Sequence, residues 1–142
     1  RDVERSRGLG DVYKRQYAHI YIYDINMDEQ YTNTFKALSD TTRLKIVWLL
    51  SNIDSKVCVS EIMEVLCEQQ YNVSRHLNIL KKANIISEKK EGRWVYYYLN
   101  IKDDSFYAFI IDAIRSIPEK EMEAEKEKCK ALLNLRNENK TI

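Results

Sequence analysis

Apolar positions along this chain recur at helical and strand periods, and one segment sets the reading of the rest. From Gln70 to Lys82 (QYNVSRHLNILKK), Val73, Leu77 and Leu80 fall at i, i+4 and i+7, which predicts one buried helical stripe. The other positions, Gln70, Tyr71, Asn72, Ser74, Arg75, Asn78 and Lys81, bring amides, hydroxyls and positive charge but no carboxylate. Upstream, Ser60 to Leu66 predicts a short helix with Ile62, Met63 and Leu66 on one side, and a break of a few residues separates the two. Helix, tight turn, helix is the expected arrangement. Downstream, Ile85 to Glu91 and Arg93 to Leu99 are β-rich runs joined at Glu91-Gly92, where glycine takes the positive φ that a hairpin turn needs. In the second run Val95, Tyr97 and Leu99 point one way and Trp94, Tyr96 and Tyr98 the other, so one face is expected on the helices and the other aromatic and partly exposed.

The flanking segments are helical. Glu29 to Leu38 offers Tyr31, Phe35 and Leu38 as an apolar side, and Asp40 is placed to cap the next helix, in which Leu44, Val47 and Trp48 bury. Asn84 follows the central helix and suits the left-handed conformation that ends one. After the hairpin, Phe106, Phe109, Ile110, Ala113, Ile114 and Ile117 form a wide apolar stripe that, with Phe35, predicts a dimer surface. Pro118 ends that helix. From Glu119 to Lys140 six acids balance six bases around Met122, Cys129, Leu132 and Leu133, which predicts a last, partly exposed helix along the dimer or extended from it. The fold class is therefore mostly α with a small β-hairpin wing: a winged helix-turn-helix in the order α-α-α-α-β-β-α-α, dimeric. Asp11 to Gln16 looks like the translated transposase end used to prepare sequencing libraries. Residues 1–26 are thus expected to be an assembly-derived or disordered leader, residues 27–118 the folded domain with its dimerisation helix, and residues 119–142 a charged helix or tail. A natural basic arm is the alternative for the leader.

Charge sharpens the picture only locally. The 142 residues carry a net charge of +1, but Gln70 to Arg93 holds six bases against two acids, and Met27 to Gln69 four bases against seven acids. A basic head on a near-neutral body favours DNA over indiscriminate polyanion binding. Arg75 and the amides suit base edges, and Tyr, Ser and Lys suit phosphates. The candidate DNA contacts are Gln70, Tyr71, Asn72, Ser74, Arg75 and His76 on the helix and Lys89, Lys90 and Arg93 on the wing, with packing at the helix seam the other reading of His76. Arg43 and Lys45 read as solvated. With no apolar run long enough for a bilayer and no visible signal peptide, a cytosolic protein without a membrane partner is expected. No phosphate loop, nucleophile elbow or productive pair of histidines or carboxylates is present, so an enzyme is not expected.

The blocks FKALSDTTRLKIVWLL (Phe35 to Leu50), VCVSEIMEVL (Val57 to Leu66), YNVSRHLNILKKANII (Tyr71 to Ile86) and KKEGRWVYYYL (Lys89 to Leu99) resemble, in order, those of the ArsR/SmtB family of winged-helix repressors. The resemblance implies a homodimeric repressor that binds double-stranded DNA and is often released by a metal, metalloid or redox signal. Metal-responsive members can carry a CVC pattern near the start of the helix before the recognition helix. Here Cys58-Val59-Ser60 keeps only the first thiol, so Cys58 is the one candidate ligand for arsenite or a thiophilic divalent metal as inducer, in a site that Cys67 and Cys129 complete only if folding or the dimer brings them together. Three thiolate or imidazole ligands are usually needed, and serine is a poor substitute. The only histidines are His19, in the leader, and His76. Two rivals stand beside this reading: a family member that has lost its inducer site, or answers only to thiol oxidation, and a winged-helix protein-interaction module without sequence-specific DNA binding.

Overall fold

The computed structural model describes residue 15 and residues 27–53, 55–100 and 103–140. The chain divides into two compact units, Arg1–Thr32 and Asn33–Ile142. Apart from Arg15, the expectations for residues 1–26 lie outside the described residues. In residues 27–32, the Gln30 backbone N–H donates to Asp28 Oδ1 at 3.0 Å. The elements are α1 (Glu29–Leu38), α2 (Thr41–Asn52), β1 (Val57–Cys58), α3 (Val59–Leu66), α4 (Gln70–Lys82), β2 (Ile86–Glu91), β3 (Trp94–Leu99), α5 (Ser105–Arg115), a 3₁₀ turn (Glu119–Glu121) and α6 (Glu123–Lys140).

The winged helix-turn-helix order is present, with one element that periodicity did not announce. The two residues of β1 pair antiparallel with β3, Val57 opposite Tyr97 and Cys58 opposite Tyr96. The hairpin thereby becomes a three-stranded sheet in the order β1-β3-β2, and one edge of the wing is tied to the start of α3.

The core gathers around α2, where Ile46, Val47, Trp48, Leu49 and Leu50 are all buried. A helix buried over five consecutive residues must be covered on several sides. The α4 stripe of Val73, Leu77 and Leu80 meets that core. Two polar handles fix α5: Trp48 Nε1 donates to the Ile117 carbonyl at 3.2 Å, and the Tyr107 hydroxyl donates to the Ile85 carbonyl at 2.7 Å. Burial pushes the Tyr107 phenol up to about 12, so that hydroxyl stays a donor.

Local chemistry sets the element ends. Asp40 caps α2 as expected, its Oδ1 accepting from the Arg43 backbone N–H at 3.1 Å. Asn84 takes φ +59 after α4, and the Ile85 N–H reaches back to the Leu80 carbonyl at 3.1 Å, a Schellman-type closure. Cys67 ends α3 at φ +54, where glycine is the usual residue, and this left-handed residue makes the turn into α4.

Three expectations need correction. Ile114, assigned to the dimer surface, is buried in its own core with Tyr107 and Ile111, because the stripe of α5 is wide enough to pack on α2 and still leave Phe109 exposed. Tyr96, on the wing face expected to be partly exposed, is buried, with Arg136 of the last helix over its ring, while Trp94 and Tyr98 on the same face stay exposed. Instead of extending away, α6 packs on α3 of the same chain, burying Cys129 and Leu133.

Gly92 sits at φ +61 in the two-residue turn between β2 and β3, and a Cβ there would meet nothing within 4 Å. The strain of a side chain is thus confined to the backbone. Gly92→Ala is expected to lose about 1–2 kcal/mol in urea unfolding, from the cost of positive φ alone; an unchanged midpoint would contradict a positive-φ turn.

Candidate nucleic-acid interface

Because α4 buries Val73, Leu77 and Leu80, its opposite side must face out. Gln70, Tyr71, Ser74, Arg75 and Asn78 are exposed and Asn72 is half-buried, and Tyr71 is 77 % exposed. The helix has no acid in its first turn and no side-chain cap from Gln69, so its leading N–H groups are open to an anion. Acids stand only at its borders. The Asn72 amide donates to Glu68 Oε2 at 3.3 Å, and Lys81 Nζ pairs with Glu88 Oε1 at 3.1 Å. The Lys81–Glu88 pair is exposed on both sides and exchanges for a ligand at little net cost.

The wing adds cations at its tip. Lys89, Lys90 and Arg93 are all exposed, and the Arg93 guanidinium lies 5.3 Å from the Trp94 ring centre. Glu91 at the turn is engaged by Lys56 and lies 4.0 Å from Lys89. Seven of the nine assigned contacts are therefore exposed on α4 and the wing, and Asn72 is half-buried beside them.

The ninth, His76, is buried. It is only 6 % exposed, with Nδ1 3.1 Å from Arg43 Nη1 and 3.8 Å from Asp40 Oδ1. One turn beyond Asn72, position 76 rotates onto the seam with α2, so His76 packs there against Arg43 instead of facing outward. Arg43, read as solvated, is drawn into the same seam, its Nε donating to the Ala37 carbonyl at 2.6 Å. Lys45 likewise pairs with Glu125 of α6 at 3.1 Å. Burial holds the His76 imidazole below its usual range, opposed by Asp40 and reinforced by Arg43 and Arg75. The backbone N–H of Arg43 holds the Asp40 carboxyl low. His76 is thus a neutral acceptor for Arg43, and it orients α4 on α2.

Sequence reasoning also missed Glu61 and Arg136, whose guanidinium Nη1 lies 2.9 Å from both Glu61 carboxylate oxygens. Glu61, three residues after Cys58, is placed to accept from the N-terminal backbone of α3; nothing local marks Arg136.

The residues around Cys58 do not fit a soft-metal site. Its thiol is buried and lies 3.1 Å from the Ser60 hydroxyl. Cys67 is exposed, 3.6 Å from Lys128 Nζ, and Cys129 is buried with its thiol pushed up to about 11, chiefly by that burial. Among the described residues no three His, Cys, Asp or Glu side chains gather where they could hold a metal ion. No helix among them is long and apolar enough to cross a membrane.

A family model described as bacterial regulatory protein, arsR family, matches residues 40–88, the span from the α2 cap into β2. The uncharacterized HTH-type transcriptional regulator MJ1325 of Methanocaldococcus jannaschii is 45 % identical over 71 residues, 50 % of this chain and 79 % of that protein. The arsenical resistance operon repressor of Escherichia coli K12 is 40 % identical over 78 residues, 55 % of this chain and 66 % of that one. In solved structures, the homodimeric winged helix-turn-helix DNA-binding domain of Mb0332 from Mycobacterium bovis superposes with a TM-score of 0.53 at 22 % identity, over 63 % of this chain and 78 % of that one. That likeness is one of fold.

Two predictions follow from the site. His76 is harder to protonate folded than at its ordinary value of 6.5, so the unfolded chain takes up the proton first as pH falls. Its contribution is complete above 6.5 and declines as pH drops below it. Urea midpoints of the wild type should fall between about pH 7 and pH 5, and those of His76→Gln should fall less; parallel profiles would remove the buried-histidine account. In equilibrium dialysis, wild type and Cys58→Ser should take up arsenite equally weakly, whereas stoichiometric uptake lost in Cys58→Ser would overturn the poor fit.

Proposed function

The chain belongs to the arsR family of bacterial regulatory proteins, and from that premise we propose that it represses transcription by binding operator DNA as a homodimer. Its relatives are transcriptional regulators and not enzymes. The observation that carries the reading is the exposed, carboxylate-free side of α4 beside a wing whose tip holds Lys89, Lys90 and Arg93. A helix of this kind enters a major groove, and the wing meets the phosphates alongside it.

Within that reading Tyr71, Asn72, Ser74 and Arg75 face the base edges, and Gln70, Lys89, Lys90 and Arg93 hold the backbone. Asn72 must exchange Glu68 for a base, which makes Glu68 a competitor that unfavourable sequences cannot displace. The second copy covers Phe35, Phe106, Phe109, Ile110, Ala113 and Ile117. Phe109 is 73 % exposed, and Phe35 meets Phe106 edge-on at 5.7 Å between ring centres. An apolar patch of this kind on a small domain marks a protein contact. Two-fold pairing sets two α4 helices about one helical turn of DNA apart, and the operator is then an imperfect inverted repeat. No metal-dependent release step is assigned, because among the described residues no set of three ligands gathers around Cys58.

Arg75→Ala should lower affinity for a bound genomic fragment by about 1–3 kcal/mol and blur preference at one base step. Lys90→Ala should weaken all sequences alike and reduce the salt slope by about 1. A salt titration giving equal slopes and intact specificity for both would contradict these roles. A failure of every genomic fragment to bind would favour the protein-interaction rival.

A further inference from the structure

The last helix reaches the DNA-reading elements through one side chain. Arg136 Nη1 lies 2.9 Å from Glu61 Oε1 and Oε2 on α3. Its Nη2 donates to the Lys56 carbonyl at 2.9 Å, just before β1, and to Ser55 Oγ at 3.3 Å. The guanidinium carbon also lies 5.2 Å from the centre of the Tyr96 ring on β3. Glu61 has a second task, since its Oε2 accepts the Cys58 backbone N–H at 2.9 Å and so caps the start of α3. From Lys56 the connection continues outward: its Nζ lies 4.7 Å from the same Tyr96 ring and pairs with Glu91 at the tip of the wing. One fork thus grips the helix before the recognition helix, the strand tied to the wing, and an aromatic side chain of the wing.

Holding α6 in place does not require this cluster. Cys129 and Leu133 are already buried against the domain, and apolar contacts do that work without desolvating charge. Here the side chains of Arg136 and Glu61 are only 15 % and 11 % exposed, and Arg136 Nε is buried with no hydrogen-bond partner among the described residues. A buried ion pair of this kind does little for stability compared with apolar packing, and its better attested use is to select one arrangement among several. The arrangement fixed here is the pose of the wing relative to α3, and through the tight turn at Cys67, to α4. A helix in the groove and a wing on the phosphates bind one duplex together only at one mutual angle.

We propose that Arg136 is a positioning residue for DNA binding, clamping the wing to the helix-turn-helix from the last helix of the chain. The inference rests on the DNA-binding reading, and its test separates the two. The variants are Arg136→Met, Arg136→Met with Glu61→Gln to remove both charges, and Arg136→Lys, which keeps the charge without the fork. The ligand is a genomic fragment that the wild type shifts. Arg136→Met should bind it roughly tenfold more weakly, with a salt slope shallower by about 1–2 because wing contacts to phosphate are lost. Adding Lys90→Ala to Arg136→Met should then cost nothing further. Adding Glu61→Gln should restore the thermal midpoint but neither affinity nor slope, and Arg136→Lys should not rescue. Without DNA, amide exchange in β1 and β3 should quicken in Arg136→Met. A double variant with wild-type affinity and slope, or an affinity loss that recovers with the thermal midpoint, overturns the proposal. If the wild type shifts no fragment, the DNA reading fails by itself, and unchanged amide exchange in β1 and β3 would overturn the clamp as well.

Discussion

Burial of Val73, Leu77 and Leu80 is the constraint from which the rest of the molecule follows. A helix with three completely enclosed residues at i, i+4 and i+7 has only one way to sit, and sitting that way turns Tyr71, Ser74, Arg75 and Asn78 to the outside. The core and the candidate interface are two sides of one requirement. Trp48 and its neighbours on α2 supply the surface that receives the stripe, and the buried contact between His76 and Arg43 fixes the rotation of α4 on it. The charges that matter for a polyanion are then left at the edge of the structure, on α4 and at the wing tip, while Asp40 caps α2 and Glu61 pairs with Arg136.

A small sheet alone would hold the wing loosely. In this chain β1 is only two residues long, yet it closes the free side of β3, and Lys56 and Arg136 add cationic contacts to Tyr96 from outside the hairpin. The segment after Pro118, which on composition alone looks like a solvated appendage, therefore packs against α3, β1 and β3. Its balanced charge reflects specific pairing, Lys45 with Glu125 and Glu61 with Arg136, as much as solvation.

Much of this was legible in the sequence because it depends on short-range rules. The limits of α4 follow from its stripe, the start of α2 from Asp40, the end of α4 from Asn84, and the hairpin from Glu91-Gly92. What was not legible depends on partners far away along the chain. Periodicity says that Tyr96 lies on the face opposite Tyr97, but not that Arg136, on a helix beginning at Glu123, will lie over its ring. It says that His76 and Arg43 are polar, but not that they satisfy each other in a seam between two helices. The pairing of Glu61 with Arg136 spans 75 residues of sequence and leaves no local mark. The missing second thiol after Cys58 was visible in the sequence, and the structure adds that the other two cysteines do not compensate for it within one chain.

The central claim is that a two-fold pair of these carboxylate-free helices reads a duplex. Selection from a pool of random duplexes by the purified wild-type protein, followed by sequencing of the retained fraction, tests it most directly. The account predicts enrichment of one motif with two related, inverted halves whose centres are about 10 base pairs apart. A retained pool with no enriched sequence, or one enriched for a single unpaired half, would contradict it.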